Sequence, residues 1–223
     1  MPLIARWRFL MLTLLICAWL LVMPLLGGRW HVQLLLEAFL LVTSVVTVWA
    51  NPSWHWLRNL LLVMWLLSVI GTLLSIAGAG SPAWPWCRTL ELLSTVPLLG
   101  LLAAGILAYV LRERVLTLDS IFATIAAYLL VALLFAQVYL CMITWQPASF
   151  TLPVAVADRP QHLLQSDITY FSLVTLATVG YGDILPATPT ARMLAMIQAV
   201  AGQFYVAVVV AIFVGMYSSQ RRG

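Results

Sequence analysis

Six stretches of this chain are apolar for long enough to cross a lipid bilayer, and nothing else in the sequence limits the fold as strongly. They run from about Phe9 to Leu26, Val32 to Trp49, Leu60 to Ala77, Leu90 to Leu111, Ser120 to Thr144 and Thr190 to Tyr217. About 20 helical residues span the hydrocarbon core. Within lipid the backbone must satisfy its own hydrogen bonds, so each stretch is read as a helix. Composition agrees, with 64% of the 223 residues hydrophobic and 8% charged; no soluble domain of this size needs so much apolar sequence. The expected fold class is an all-α, multi-pass membrane protein. A secretory signal peptide also has a basic start, here Arg6 and Arg8, before an apolar run. Met23-Pro24-Leu25-Leu26 offers no small-residue cleavage site, so the first stretch is read as a retained span.

Between the fifth and sixth stretches the pattern changes. A polar, Pro-containing segment with Asp158, Arg159 and His162 is followed by a half-length apolar run, Ile168 to Ala177, too short to span. Thr178-Val179-Gly180-Tyr181-Gly182-Asp183 comes next. A cation stripped of water needs oxygen ligands. An extended backbone supplies one carbonyl per residue, but successive carbonyls point to opposite sides. Aiming them all one way requires alternate residues in unusual backbone conformations, which glycine reaches without a Cβ penalty. Gly180 and Gly182 alternate as required, and Thr178 adds a hydroxyl oxygen. The candidate ion ligands are the carbonyls of Thr178, Val179, Gly180 and Tyr181 and the Thr178 hydroxyl. The Val179 and Tyr181 side chains are expected to turn back into the protein and fix the width of the loop. A Gly-rich turn between helices is the plainer account of a bare Gly-Tyr-Gly. Six consecutive residues in this membrane context argue against it.

Thr178 to Gly182 resembles the selectivity filter of the tetrameric potassium channels that carry a re-entrant pore loop. The resemblance covers Asp167 to Gly215 and extends to the fifth span; for the first four spans it is a segment count only. It implies a potassium-selective channel conducting K+ passively. One chain has one filter motif, so four copies would form the pore as a homotetramer. It implies that Asp167 to Ala177 is the pore helix, opening at an acidic capping candidate and aiming its negative C-terminal end at the ion path. Tyr170 and Phe171 occupy the place of an aromatic pair that braces the filter, with Gly182 and Asp183 as further support. The Tyr170 hydroxyl is expected to bond Asp183. Val174 stands where some relatives carry a glutamate, so no carboxylate pair is expected behind the filter. Gly202 falls at the family's gating-hinge position; close helix packing is the other reading of that glycine. Gln198 and Gln203 are polar within the sixth span, and one of them is a candidate to face the inner cavity.

The chain divides into residues 1–114, a four-helix membrane domain, and 115–223, the pore domain. Voltage sensing needs several charges crossing the field. No arginine or lysine lies between Leu92 and Leu111; Pro97, Gly100 and Gly105 are expected to interrupt that span instead. Little steep voltage dependence is therefore expected. Glu37 is the acidic residue well inside the first four spans. It reads either as a titratable sensor or as a carboxyl bonded to Ser or Thr of a neighbouring helix.

All eleven basic residues are arginine. Six spans place Arg6, Arg8, Arg58, Arg112, Arg114, Arg221 and Arg222 on one side and Arg29, Arg88, Arg159 and Arg192 on the other. The positive-inside rule then puts both termini in the cytoplasm and the chain in the plasma (inner) membrane. Gly78 to Pro82 and Trp84-Pro85-Trp86 are expected to form a surface loop, and Asp119 or Thr117 to cap the fifth helix. Within this sequence no cytoplasmic sensing domain is expected after Tyr217. Cys17, Cys87 and Cys141 read as buried small apolar residues, with a Cys87–Cys141 disulfide the alternative. His31, His55 and His162 read as isolated loop residues. No nucleophile constellation, phosphate loop or dinucleotide fingerprint is present, so neither an enzyme, a cofactor nor a nucleic-acid partner is expected. A weakly selective cation channel and a non-conducting membrane subunit are the rival functions.

Overall fold

The computed structural model describes residues 7–25, 30–50, 55–78, 81, 83–113, 116–152 and 161–222. The turns expected at 27–29 and 51–52, and Asp158 and Arg159, lie outside them. The described helices are α1 (Arg8–Val22), α2 (Trp30–Ala50), α3 (His55–Ala77), α4 (Trp84–Arg112), α5 (Leu118–Trp145), α6 (Gln161–Leu176) and α7 (Pro189–Arg222). A two-residue antiparallel ribbon joins β1 (Phe150–Thr151) to β2 (Leu185–Pro186), a small departure from an all-helical chain. Among the described residues, four helices are long and apolar enough to cross a membrane: α4, α5, Trp56–Ala77 of α3 and Pro189–Ser218 of α7. The 15 residues of α1 rise only about 23 Å, short of the roughly 30 Å hydrocarbon core.

Several helix ends differ from the sequence reading. Trp84-Pro85-Trp86 is not a surface loop but the first turn of α4. Proline fits there because the first N–H groups of a helix have no intrahelical partner. Arg88 consequently moves from a loop into the helix. Pro97, Gly100 and Gly105 do not interrupt α4, which runs continuously to Arg112. Gly105 is instead a point of close approach, since a Cβ there would sit 2.7 Å from the Thr47 methyl carbon. Thr117, rather than Asp119, caps α5, exchanging hydrogen bonds with Ser120 in a capping box. Asp119 points across to α1, accepting from the Phe9 N–H at 3.1 Å and pairing with Arg8. Helix α6 begins at Gln161, so Asp167 lies inside it and is not its cap. The apolar run marked only the membrane-buried part, whereas helix formation also tolerates the polar residues before it. His31, His55 and His162 fall in first turns of α2, α3 and α6 rather than in loops.

Two apolar clusters organise the packing. One gathers Phe9, Leu12 and Ile16 of α1, Leu40 of α2, Leu61 of α3, Leu102 and Ile106 of α4 and Leu130 of α5. The other surrounds α6: Tyr139 and Leu140 of α5, Phe150, Ile168, Phe171, Ile184 and Ala191. Hydroxyls inside these helices largely return to their own backbone; Thr43, Ser44 and Thr47 each donate to the carbonyl four residues earlier.

The N-terminal helices also bury a polar network. Glu37 Oε1 accepts from Ser68 Oγ at 2.8 Å and Thr72 Oγ1 at 2.7 Å, both on α3. Ser68 in turn meets Thr95 Oγ1 of α4 at 3.0 Å. Arg88 and Glu91 form a buried ion pair three residues apart on α4. The hydroxyl-bonded reading of Glu37 is thus the one seen. Cys17, Cys87 and Cys141 are free thiols; Cys17 is exposed and the other two are half-buried, so none is a fully buried packing residue.

Candidate functional site

Thr178 to Asp183 connects the C-terminal end of α6 to β2. The inner end of this segment is fastened to α6 by the Thr178 N–H to the Thr175 carbonyl at 3.0 Å and the Val179 N–H to the Val174 carbonyl at 2.9 Å. Thr178, Gly180 and Gly182 have φ of 56°, 57° and 82°, so every second residue is left-handed. Both glycines adopt this conformation freely. Thr178 does not, and a β-branched residue there stores about 1–2 kcal/mol of strain. Sequence reasoning foresaw the glycines but not the third left-handed position. A left-handed residue at every second position departs from the regular strand, in which successive carbonyls alternate sides, and is the backbone pattern that a one-sided row of carbonyls requires. Such a row of oxygens has the chemistry to replace water around a cation.

The side chains around this row divide into two groups. Val179 and Tyr181 are 52% and 71% exposed in the single chain, so neither is buried within it as expected. Tyr181 stacks on Tyr170 of α6, with ring planes 2° apart and centroids 6.3 Å apart. The Tyr170 hydroxyl lies close enough to the Asp183 carboxylate to feel its charge. Partial desolvation first, and the neighbouring Asp183 carboxylate second, raise the Tyr170 pKa above the usual tyrosine range. Phe171 faces the other way, packed edge-on against Tyr139 and Phe150 at 5.4 and 5.2 Å. The aromatic pair therefore has two jobs: one ring meets the filter-like segment and the other anchors α6.

Helix α7 touches this assembly at three places. Gln198 is fully buried between α5 and α6, and its contacts are not with any cavity. Gln203 is the exposed glutamine: its Nε2 donates to Thr178 Oγ1 at 3.0 Å. It shares a cavity of about 490 Å³ with Thr178, Ala199, Val200, Phe204 and Ala207. Gly202 lies against the end of α6, where an added Cβ would come within 2.2 Å of the Leu176 carbonyl oxygen. That same carbonyl accepts from Tyr128 Oη of α5 at 2.9 Å. Close packing accounts for the glycine. No group of His, Cys, Asp and Glu able to hold a metal is found among the described residues.

Comparison with known proteins places the same half of the chain. A family model described as an ion channel matches residues 98–219, more than half of the sequence. Protein LctB of Bacillus caldotenax is 35% identical over 95 residues, covering 43% of this chain and 70% of that protein. Two pore potassium channel c of Oryza sativa subsp. japonica is 44% identical over 71 residues, 30% of this chain and 14% of the relative. Two-pore potassium channel 4 of Arabidopsis thaliana is 50% identical over 36 residues, 16% of this chain and 13% of the relative. The chain thus spans most of the bacterial relative and a small part of each plant one. No solved structure matches.

Proposed function

The chain belongs to the ion-channel family whose model it matches, and we propose that it is a potassium-selective channel that passes K+ passively down its gradient. The observation that carries this reading is the left-handed conformation at Thr178, Gly180 and Gly182. It supports a single-file row of oxygens from Thr178 to Tyr181, with the Thr178 hydroxyl at the inner end. Relatives named as potassium channels support the identity of the ion.

Four copies would surround the pore axis. In the single chain only 6% of the apolar window of α7 is buried, against 50% for α4 and α5. Val200 and Phe204 are exposed on the surface they share with Thr178, and Val179 and Tyr181 are exposed as well. Neighbouring copies would cover this surface and give Val179 and Tyr181 the burial that one chain denies them. In this reading α1 to α5 and α7 are six spans and α6 is a re-entrant pore helix. Residues 1–114 form the peripheral domain and 115–223 the pore. Both termini lie in the cytoplasm of a plasma-membrane protein. A row of backbone carbonyls coordinates and passes a cation, which is why the site is read as one of conduction.

The test is the reversal potential of purified protein in a planar bilayer with potassium on one side and sodium on the other. A value near the potassium limit is expected, and it should be lost in Gly180→Ala, where a side chain must adopt φ 57°. A wild-type value near zero sinks the selective reading.

A further inference from the structure

A polar chain runs through the protein directly behind α6. Tyr139 Oη of α5 donates to Gln198 Oε1 of α7 at 2.7 Å. Gln198 Nε2 donates to Ser172 Oγ of α6 at 2.7 Å and to the Ser172 carbonyl at 3.0 Å. Ser172 Oγ donates onward to the Ala132 carbonyl of α5 at 2.6 Å. Tyr139, Gln198 and Ser172 are all fully buried. An amide is costly to bury in an apolar interior unless it is bonded. Here both ends of the Gln198 side chain are used, each on a different helix. An apolar residue would fill the same space without needing partners, so what the bonded chain adds is a fixed geometry between the helices.

The geometry it fixes is that of the filter. Helix α6 is bonded through Val174 and Thr175 to the backbone of Val179 and Thr178. Any shift of α6 along α7 therefore displaces the carbonyl row. Gln198 lies one helical turn before Gly202, on the same face of α7, and Gly202 presses on the Leu176 carbonyl. Two contacts a turn apart, at Ser172 and Leu176, grip the C-terminal part of α6. The aromatic cluster of Tyr139, Phe150 and Phe171 closes the remaining side.

We propose that Gln198 is a positioning residue for the filter: it locks α6 to α7, so that filter selectivity depends on it and a displacement of α7 reaches the carbonyl row through it. This rests on the potassium-filter reading above. The experiment compares wild type, Gln198→Leu, Tyr139→Phe and the double variant in planar bilayers, each first shown by light scattering to assemble as wild type does. The readouts are the potassium-to-sodium permeability ratio and the rate of current decay at constant voltage. Gln198→Leu removes three buried hydrogen bonds and is expected to lower the ratio or to speed decay by at least about tenfold, the scale of losing one such bond outright. Tyr139→Phe keeps the ring and removes only the hydroxyl, so it should shift the same readout in the same direction by less. The double variant should match Gln198→Leu alone. Should Gln198→Leu fail to assemble, Tyr139→Phe decides. Assembled variants with the wild-type ratio and decay rate overturn the proposal. If wild type is itself non-selective, the filter reading falls and this inference falls with it.

Discussion

At the scale of single residues, two glycines of α7 make opposite predictions. A Cβ at Gly202 would meet the Leu176 carbonyl oxygen at 2.2 Å, and the obstacle is backbone rather than a flexible side-chain end. Overpacking typically costs about 1–3 kcal/mol, and this site has no side chain that can swing away. Gly202→Ala should therefore lower the temperature at which the assembled protein melts by several degrees and reduce current. Gly215 has nothing within 4 Å of its added Cβ. Gly215→Ala should be silent or slightly stabilising, since alanine in a helix interior is favoured by about 0.5–1 kcal/mol. A melt of Gly202→Ala coincident with wild type would show that α7 stands further from α6 than described. Thr178 carries the complementary lesson. Its neighbours Gly180 and Gly182 announce their conformation by their identity, but a threonine at φ 56° does not. Its strain is imposed by the bonds to Val174 and Thr175, and a strained β-branched residue at the head of the carbonyl row marks a place where geometry outranks stability.

At the scale of helices, the filter was legible because its chemistry is local: six adjacent residues suffice to define a carbonyl row. The packing around it was less so. Gln198 and Gln203 are five positions apart, about 140° around a helix, so the sequence implies different faces without saying which face meets α6. Only packing decides that Gln198 is enclosed and Gln203 meets Thr178. The start of α4 was misread because a Trp-Pro-Trp run suits a loop as well as a first turn. Glu37 was readable as buried, but its partners on α3 lie 31 and 35 residues away. The bonding seen there yields a prediction. Glu37→Gln keeps an oxygen to accept from Ser68 and Thr72 and removes a carboxylate whose Oε2 is buried without a hydrogen-bond partner. It should change stability by less than about 1 kcal/mol. Glu37→Leu removes the acceptor of the Thr72 hydroxyl and leaves Ser68 with Thr95 alone; it should cost about 1–2 kcal/mol, tempered by the ability of both hydroxyls to bond back to their own helix. Thermal unfolding of the two variants in detergent checks the order; equal melts would mean the network contributes nothing to holding α2 on α3.

At the scale of the whole molecule, the question is whether the peripheral helices can sense voltage, and the charge inventory answers it. The described part of α1 to α4 places Glu37, Arg88 and Glu91 among its buried residues. Arg88 and Glu91 are bonded to each other, so the pair moves through the field as a neutral unit. Glu37 is the remaining charge, tied by Ser68 and Thr72 to α3. Moving one elementary charge fully across the membrane is worth about 2.3 kcal/mol per 100 mV, roughly a 50-fold change in an equilibrium. Channels that open steeply use 3–4 such charges in each subunit. Here no buried charge is both unpaired and free to cross. The contacts through Asp119, Arg8 and the Phe9 N–H further tie α1 to α5. Open probability should therefore change by less than about 50-fold over 100 mV, with no gating-charge transient, and Arg88→Gln should leave that slope unchanged while destabilising the protein through the carboxylate it abandons. Single-channel recording across a voltage ramp supplies the slope. A steeper relation that flattens in Arg88→Gln would mean that the ion pair separates during opening and that α4 carries charge after all.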